Sequence, residues 1–182
     1  MLCANCQNRL DTGQITQFDI DFSKWLLNES EEDPSLEDLN LRRAIKAGDR
    51  VVLIVKRRKD KEILESAEGL LDQIANLHGE PMILKGPVRL RRLIRTLIDP
   101  VIEVGVNNLY LPEGTRESIV ILRAEDKKRI DYTPKELRTI ASAVMGEPVL
   151  FEFQDRGEDK GEEQEGAFDE KMREFASRRR NR

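Results

Sequence analysis

The chain has 182 residues, of which 38% are hydrophobic and 36% charged, and its formal net charge is −4. No run approaches the roughly 18 consecutive apolar residues of a membrane span, and the N-terminus lacks a basic-then-apolar leader. Two cysteines cannot supply a disulfide framework, so the composition predicts a cytoplasmic protein with no membrane partner. One histidine and no nucleophile, phosphate-loop or acid–base motif predict that the protein is not an enzyme.

The first segment, residues 1–14, contains CANC, in which Cys3 and Cys6 have the CxxC spacing of half a tetrahedral zinc site. The single histidine, His78, is expected at a helix end and is not expected to bind metal. Two alternatives stay open: the zinc site is lost, or two chains share one zinc ion between them. No cofactor is otherwise required. A thioredoxin-type redox motif is not predicted, because the surrounding sequence lacks a βαβ pattern.

The triplet Gly-Glu-Pro occurs twice, at residues 79–81 and 146–148, and an offset of 67 residues superposes the two copies without a gap. In both copies a helical apolar pattern precedes the triplet and a short apolar run follows it. Glycine and proline in this order are typical of a helix end. The chain is therefore predicted to contain two repeats, residues 15–86 and 87–154.

Each repeat is predicted to run helix, strand, strand, short helix, helix, strand. In the first repeat the principal elements are a helix at 18–27, strands at 39–45 and 51–55, a helix at 70–77 and a strand at 82–84. In the second they are a helix at 88–97, strands at 106–112 and 119–122, a helix beginning at Thr133-Pro134, and a strand after Pro148. The predicted class is α+β, with two tandem modules.

This element order is that of the prokaryotic-type (type II) KH domain, a module that binds single-stranded RNA. Three stretches, CANCQNRLDTGQITQFDIDFSKWLL, LIDPVIEVGVNNLYLPEG and IASAVMGEPVLFEF, resemble the archaeal NusA-like proteins with KH domains. The resemblance extends from about residue 3 to residue 153. It implies tandem KH-like modules and a role in transcription or other RNA metabolism. Relatives carry a further cysteine pair upstream of CxxC, which this sequence does not contain.

A KH domain holds the nucleic-acid backbone with a GxxG loop between its central helices. By register, that loop falls at residues 65–68 (ESAE) in the first repeat and at 132–135 (YTPK) in the second, and neither contains glycine. Two glutamates in ESAE would repel phosphate, so the first loop is not expected to hold RNA. The second loop keeps Lys135 as a candidate phosphate contact and Thr133 as a helix cap.

Cations outside these loops are the other candidates for RNA binding, because several of them together can neutralise backbone phosphates. They form two clusters, at residues 56–61 and 89–95. The candidate RNA-binding residues are Lys56, Arg57, Arg58, Lys59, Lys61, Arg89, Arg91, Arg92, Arg95 and Lys135. The second cluster is expected to present Arg89, Arg92 and Arg95 as one column on a helix. The two clusters are expected to share one surface.

Residues 155–182 comprise an acidic linker and a short amphipathic pattern in which Phe168, Met172 and Phe175 share a helical face, followed by RRRNR. This pattern predicts a docking peptide for a transcription or ribosome-associated protein, or a tail that folds back. The sequence thus favours a non-catalytic RNA-binding protein. The alternative is a degenerate KH scaffold that serves protein–protein interaction and binds no RNA by itself.

Overall fold

The structure is a computed structural model that describes residues 2–67, 69–112 and 114–154. The predicted C-terminal linker and amphipathic pattern, residues 155–182, lie outside the described residues. The described α-helices are α1 (Ala4–Asp11), α2 (Gln17–Glu32), α3 (Arg58–Ser66), α4 (Leu70–His78), α5 (Leu90–Ile98) and α6 (Pro134–Met145). The described strands are β1 (Leu41–Ala47), β2 (Arg50–Val55), β3 (Glu80–Lys85), β4 (Gly105–Tyr110), β5 (Arg116–Arg123) and β6 (Val149–Gln154).

The six strands form two three-stranded sheets with the same topology. In the first sheet, β2 is central and pairs antiparallel with β1 and parallel with β3. In the second sheet, β5 pairs in the same two ways with β4 and β6. A 3-10 helix at Ala124–Arg129 occupies the position in the second repeat that α3 occupies in the first. The α+β class is confirmed, and none of the described helices is long and apolar enough to cross a membrane.

The first sheet is covered by helices on both faces. Its central strand β2 has five consecutive buried residues, which is the pattern of a strand with no solvent-exposed side. One face packs on the first repeat's own helices α2, α3 and α4 through Ala44, Val51, Leu53 and Val55. The opposite face packs on α5 and α6 of the second repeat through Ile45, Val52, Ile54 and Leu84. The two repeats therefore share one hydrophobic core.

The second sheet follows α5 and α6 as the fourth layer. Strand β5 alternates: Ser118, Val120 and Leu122 are buried, whereas the residues between them are partly exposed. Alternation with a period of two indicates a sheet with one face toward the core and one face away from it. The order of layers is thus helices, first sheet, helices, second sheet.

Two buried aspartates fix the helices of the first repeat to strand β1 and the residues before it. Asp19, 5% exposed, accepts hydrogen bonds from the backbone N–H of Thr16 at the start of α2 and from that of Ala44 in β1. Asp60, 1% exposed, accepts from the backbone N–H of Arg57 at the start of α3 and from that of Asn40. Asp19 therefore caps α2 and binds β1, while Asp60 caps α3 and binds the residue before β1. The contacts of Asp60 place α3 against the sheet.

The two Gly-Glu-Pro triplets end a helix in different ways. Gly79 has φ +110° and is followed at once by β3, whereas Gly146 has φ +73° and β6 begins only after Pro148. Consequently Val51 pairs with Pro81 in the first sheet, but its repeat equivalent Ser118 pairs with Val149 and not with Pro148. This shift of one residue reverses which side chains of β6 face the core.

His78 lies at the end of α4 in an aromatic cluster. The rings of Phe18, Phe22 and Trp25 lie 5.0–5.9 Å from the imidazole in edge-on arrangements. The Nε2 atom is buried and has no hydrogen-bond partner among the described residues. Burial, and then the charge of Lys46, lower the pKa of His78 below 6.5. The histidine thus acts as a neutral core residue, in keeping with its predicted position at a helix end.

Replacing the two repeat-equivalent glycines by alanine is expected to have unequal effects. A Cβ atom at Gly79 would overlap the backbone carbonyl of Asp49, whereas one at Gly146 has no neighbouring atom within 4 Å. Gly146→Ala should therefore cost only the left-handed strain of about 1–2 kcal/mol. Gly79→Ala should cost clearly more, since the β1–β2 turn must also move. Denaturant unfolding of the two variants measures the difference; equal losses would contradict it.

Stability is expected to fall as the pH drops below about 6.5, the ordinary pKa of histidine. Because the folded-state pKa of His78 is the lower one, the unfolded chain binds the proton first, and acid shifts the equilibrium toward it. His78→Phe should remove this part of the pH dependence while keeping an aromatic ring in the cluster. Thermal melts of both proteins between mildly acidic and neutral pH provide the measurement; parallel curves would show that His78 does not contribute.

Candidate nucleic-acid interface

A groove of about 190 Å³ lies between α3, β3 and α5, and it brings together cations from both predicted clusters. Lys61 enters from α3 and Arg92 from α5, although 30 residues separate them in the sequence. We call this site the basic groove, lined by Lys61, Ile83, Leu84, Lys85, Val88, Arg92, Leu93 and Thr96. The lining contains three cations and no carboxylate.

Lys85 is a third cation of the basic groove that sequence reasoning missed. It is the last residue of β3 and pairs with Val55, the residue directly before Lys56. Lys85 has no charged neighbours in the sequence, so a search for runs of charged residues does not assign it to either cluster. The parallel pairing of β2 and β3 could have identified it, because both strands end at the same edge of the sheet.

The basic groove has an apolar floor and a charged rim. Leu84 and Leu93 are buried at its base, whereas Lys85 and Arg92 are exposed. Its volume is below the 300–1,000 Å³ typical of pockets that enclose whole small molecules. The arrangement suits one or two backbone units of a polyanion, with phosphates at the rim and the sugar against the floor.

Carboxylates already engage several cations of the first cluster. Arg58 pairs with Glu62 at 3.1 Å, Lys59 with Asp38 at 3.0 Å, and Lys61 with Glu65 at 3.4 Å. All six side chains are substantially exposed, so each pair is weak and open to exchange with a phosphate. Lys56 and Arg57 are exposed and form no ion pair with another described residue.

The three arginines of the column predicted in the second cluster, Arg89, Arg92 and Arg95, are all exposed. Arg89 is the residue before α5, Arg91 and Arg92 are exposed in its first turn, and Arg95 is paired with Glu103 at 3.2 Å. The Glu103 side chain is only 6% exposed, so this pair holds the segment after α5, while the Arg95 side chain is 63% exposed. Arg92 is the member of this cluster that lines the basic groove.

Lys135 is not part of the basic groove. It lies in the first turn of α6 and faces a separate groove of about 590 Å³, which also contains Asp49, Glu80 and Glu136. At the same junction the guanidinium of Arg50 lies 4.9 Å from the centre of the Tyr132 ring. Tyr132 is thus engaged by a cation of the first repeat.

The N-termini of α4 and α6 differ in how they are capped. In the second repeat, Thr133 caps α6 and donates two hydrogen bonds to Glu136, at 2.7 and 2.8 Å. These bonds, first the one from the hydroxyl, lower the pKa of Glu136, so an ionised carboxylate already occupies this helix end. The start of α6 therefore carries its own carboxylate, while Lys135 beside it is exposed.

In the first repeat, Glu65 and Ser66 belong to α3, and the connection to α4 consists of residues 67–69. The connection therefore begins two residues and ends one residue later than the predicted loop at 65–68, and it contains a glycine. Gly69, with φ +74°, stands at the N-cap of α4, where no described side chain caps the helix. Free N–H groups at a helix start are potential anion ligands.

Cys3 and Cys6 lie at the start of α1. The Cys3 sulfur accepts a hydrogen bond from the backbone N–H of Cys6 at 3.4 Å, and both thiols are free. In the described part of the chain, no group of three or more metal-ligating side chains comes together, so one chain does not supply a closed zinc site there. Site loss and a zinc ion shared by two chains remain the two alternatives.

The hydrogen bond between the cysteines separates their acidities. The N–H of Cys6, and then its thiol, lower the pKa of Cys3, whereas the bond to Cys3 raises the pKa of Cys6. Cys3 is therefore the thiol with the larger thiolate fraction near neutral pH, and it is also the more exposed of the two.

The fold is similar to a solved structure, whereas no family model and no curated protein matches the chain. The similar structure is described as "Crystal structure of APE1850", with a TM-score of 0.56 and 14% sequence identity. The match covers 76% of this chain and 100% of that chain. At this level of identity the similarity concerns the arrangement of helices and strands.

Alkylation of the native protein is expected to modify Cys3 before Cys6, because the thiolate is the reacting species. Brief iodoacetamide treatment at neutral pH, followed by peptide mass spectrometry, measures the order. Cys6→Ala removes the hydrogen bond from the thiol but keeps the one from the backbone N–H, so it should leave Cys3 still reactive. Equal labelling of the two cysteines would show that the bond at the start of α1 is not maintained in solution.

Proposed function

We propose that this protein is a non-catalytic RNA-binding protein of the NusA-like type, with two KH-like modules, and that it acts in transcription or other RNA metabolism. The sequence and the order of secondary-structure elements both support this proposal. The sequence resembles archaeal NusA-like proteins over most of its length, and each repeat has the element order of a type II KH domain. The RNA would bind mainly through the first repeat and its border with the second.

The observation that carries this proposal is the basic groove. Lys61, Lys85 and Arg92 come from three elements of two repeats and meet without an acidic lining residue. Three other grooves in the described chain each contain at least one carboxylate. Since the protein is acidic overall, a groove lined by three cations and no carboxylate is the best location for a polyanion.

The N-terminus of α4 supplies a second contact of the kind that a KH module uses. Gly69 retains the backbone conformation of a glycine loop, and the first turn of α4 has no side-chain cap among the described residues. A phosphate at this position would accept hydrogen bonds from backbone N–H groups. We propose that this shortened loop and the cations of the basic groove together bind the RNA backbone.

Binding of a short mixed-sequence single-stranded RNA should weaken with salt, with log affinity falling by about 0.7 per phosphate contact for each tenfold rise in salt. The double variant Lys85→Ala/Arg92→Ala should lower the slope by roughly 1.4 and reduce the affinity at low salt. Fluorescence anisotropy over a salt series measures both quantities.

The matched control makes the same change in net charge at two residues outside the basic groove. Lys24 on α2 and Arg138 on α6 are both exposed, so Lys24→Ala/Arg138→Ala removes one lysine and one arginine elsewhere. The control should retain the wild-type slope. Equal losses in both double variants would refute the assignment to the basic groove, and no binding by the wild type at low salt would refute RNA binding itself.

A further inference from the structure

The second sheet has an outer face that no described element covers. On β5 this face carries Ile119 and Ile121, which are partly exposed, while their neighbours Val120 and Leu122 are buried. Strand pairing adds Leu109 of β4, which is 46% exposed, and Leu150 of β6. We call these four side chains the outer patch.

The same face of the first sheet is a docking surface for helices. Val52 and Ile54 are the repeat equivalents of Ile119 and Ile121, and they are 0% and 8% exposed because α5 and α6 cover them. The shared core that buries them also contains Leu137, Ile140 and Val144 of α6, which are spaced as one helical face. The second sheet keeps β-branched residues at these two positions without a described helix over them.

The chain itself contains a segment with the chemistry of such a helix. Phe168, Met172 and Phe175 have the spacing of one apolar helical face, as the buried residues of α6 do. Only 13 residues separate Phe168 from Gln154, the end of β6, and β6 contributes Leu150 to the outer patch. Such a tether reaches up to about 45 Å, against roughly 20 Å for the length of a six-residue strand.

The charges beside the outer patch complement the end of the chain. Glu117 is opposite Leu109 and Glu152 is opposite Ile121, so both carboxylates lie on the outer face. Neither forms an ion pair with another described residue. Three consecutive arginines, Arg178 to Arg180, follow the apolar pattern in the sequence. Cations placed near unpaired carboxylates would favour the bound arrangement and select its direction.

We propose that residues 167–182, the C-terminal segment, bind the outer patch of their own chain with Phe168, Met172 and Phe175. In this arrangement the C-terminal segment packs on the second sheet in the way that α6 packs on the first sheet. The short tether makes the contact intramolecular and gives it an effective concentration in the millimolar range, which favours it over a second copy of the chain at ordinary protein concentration.

Disulfide trapping in the full-length chain tests this proposal. In a Cys3→Ser/Cys6→Ser background, Ile119→Cys and Met172→Cys place one thiol in the outer patch and one in the C-terminal segment. Mild oxidation should produce a monomer with an internal disulfide, on the order of tenfold faster than the control pair Lys24→Cys and Met172→Cys. Lys24 is exposed on α2, in the outermost helical layer of the first repeat. Circular dichroism verifies that each variant is folded.

The other outcomes of the trapping experiment overturn the proposal. Equal rates for the two pairs would mean that the segment does not prefer the outer patch. Cross-linked dimers as the main product would assign the patch to a second copy of the chain. Within the trapping pair, Phe175→Asp should lower the rate to that of the control, whereas Ser177→Asp, on the opposite side of the helical pattern and with the same change in charge, should not. RNA binding is not involved in this readout, so the result is independent of the proposed function.

Discussion

The burial of the first sheet on both faces is the interaction on which the rest of the structure depends. Val52 and Ile54 face the second repeat, while Val51, Leu53 and Val55 face the first repeat's own helices. Burial of each such side chain contributes about 1.5–3 kcal/mol. A module of this size has a marginal core, so each repeat gains stability from the contact. The two repeats are in this sense one folding unit with a shared core.

This shared core also creates the basic groove. When α5 packs between the two sheets with Leu93 and Ile94 buried, its exposed flank carries Arg92 to the edge of β3. Asp60 holds α3 at the same end of the sheet, which brings Lys61 to the other wall. The three cations of the groove are therefore positioned by buried contacts and a buried hydrogen-bonded carboxylate. A groove with walls held in this way would need little reorganisation to bind the proposed phosphate.

The repeats share a topology but have diverged at their helix ends. Gly79 is pressed against the β1–β2 turn, whereas Gly146 is open to solvent and is followed by a strand shifted by one residue. Thr133 and Glu136 close the start of α6, while Gly69 leaves the start of α4 without a described side-chain cap. These differences concentrate the features suited to an anion in the first repeat. The second repeat supplies one wall of the groove and covers the first sheet.

The sequence by itself determined the α+β class, the existence of two repeats and the approximate position of nearly every element, because apolar periodicity and glycine–proline punctuation are local properties. It also identified Arg92 and Lys61 as candidate contacts. It did not reveal Lys85, the pairing of Arg95 with Glu103 or the true connection before α4. Each of these depends on which residues meet across strands and helices far apart in the chain. Only the tertiary structure decided which charges stand together, since strand register and the docking of α5 on the first sheet are long-range choices that no local pattern encodes.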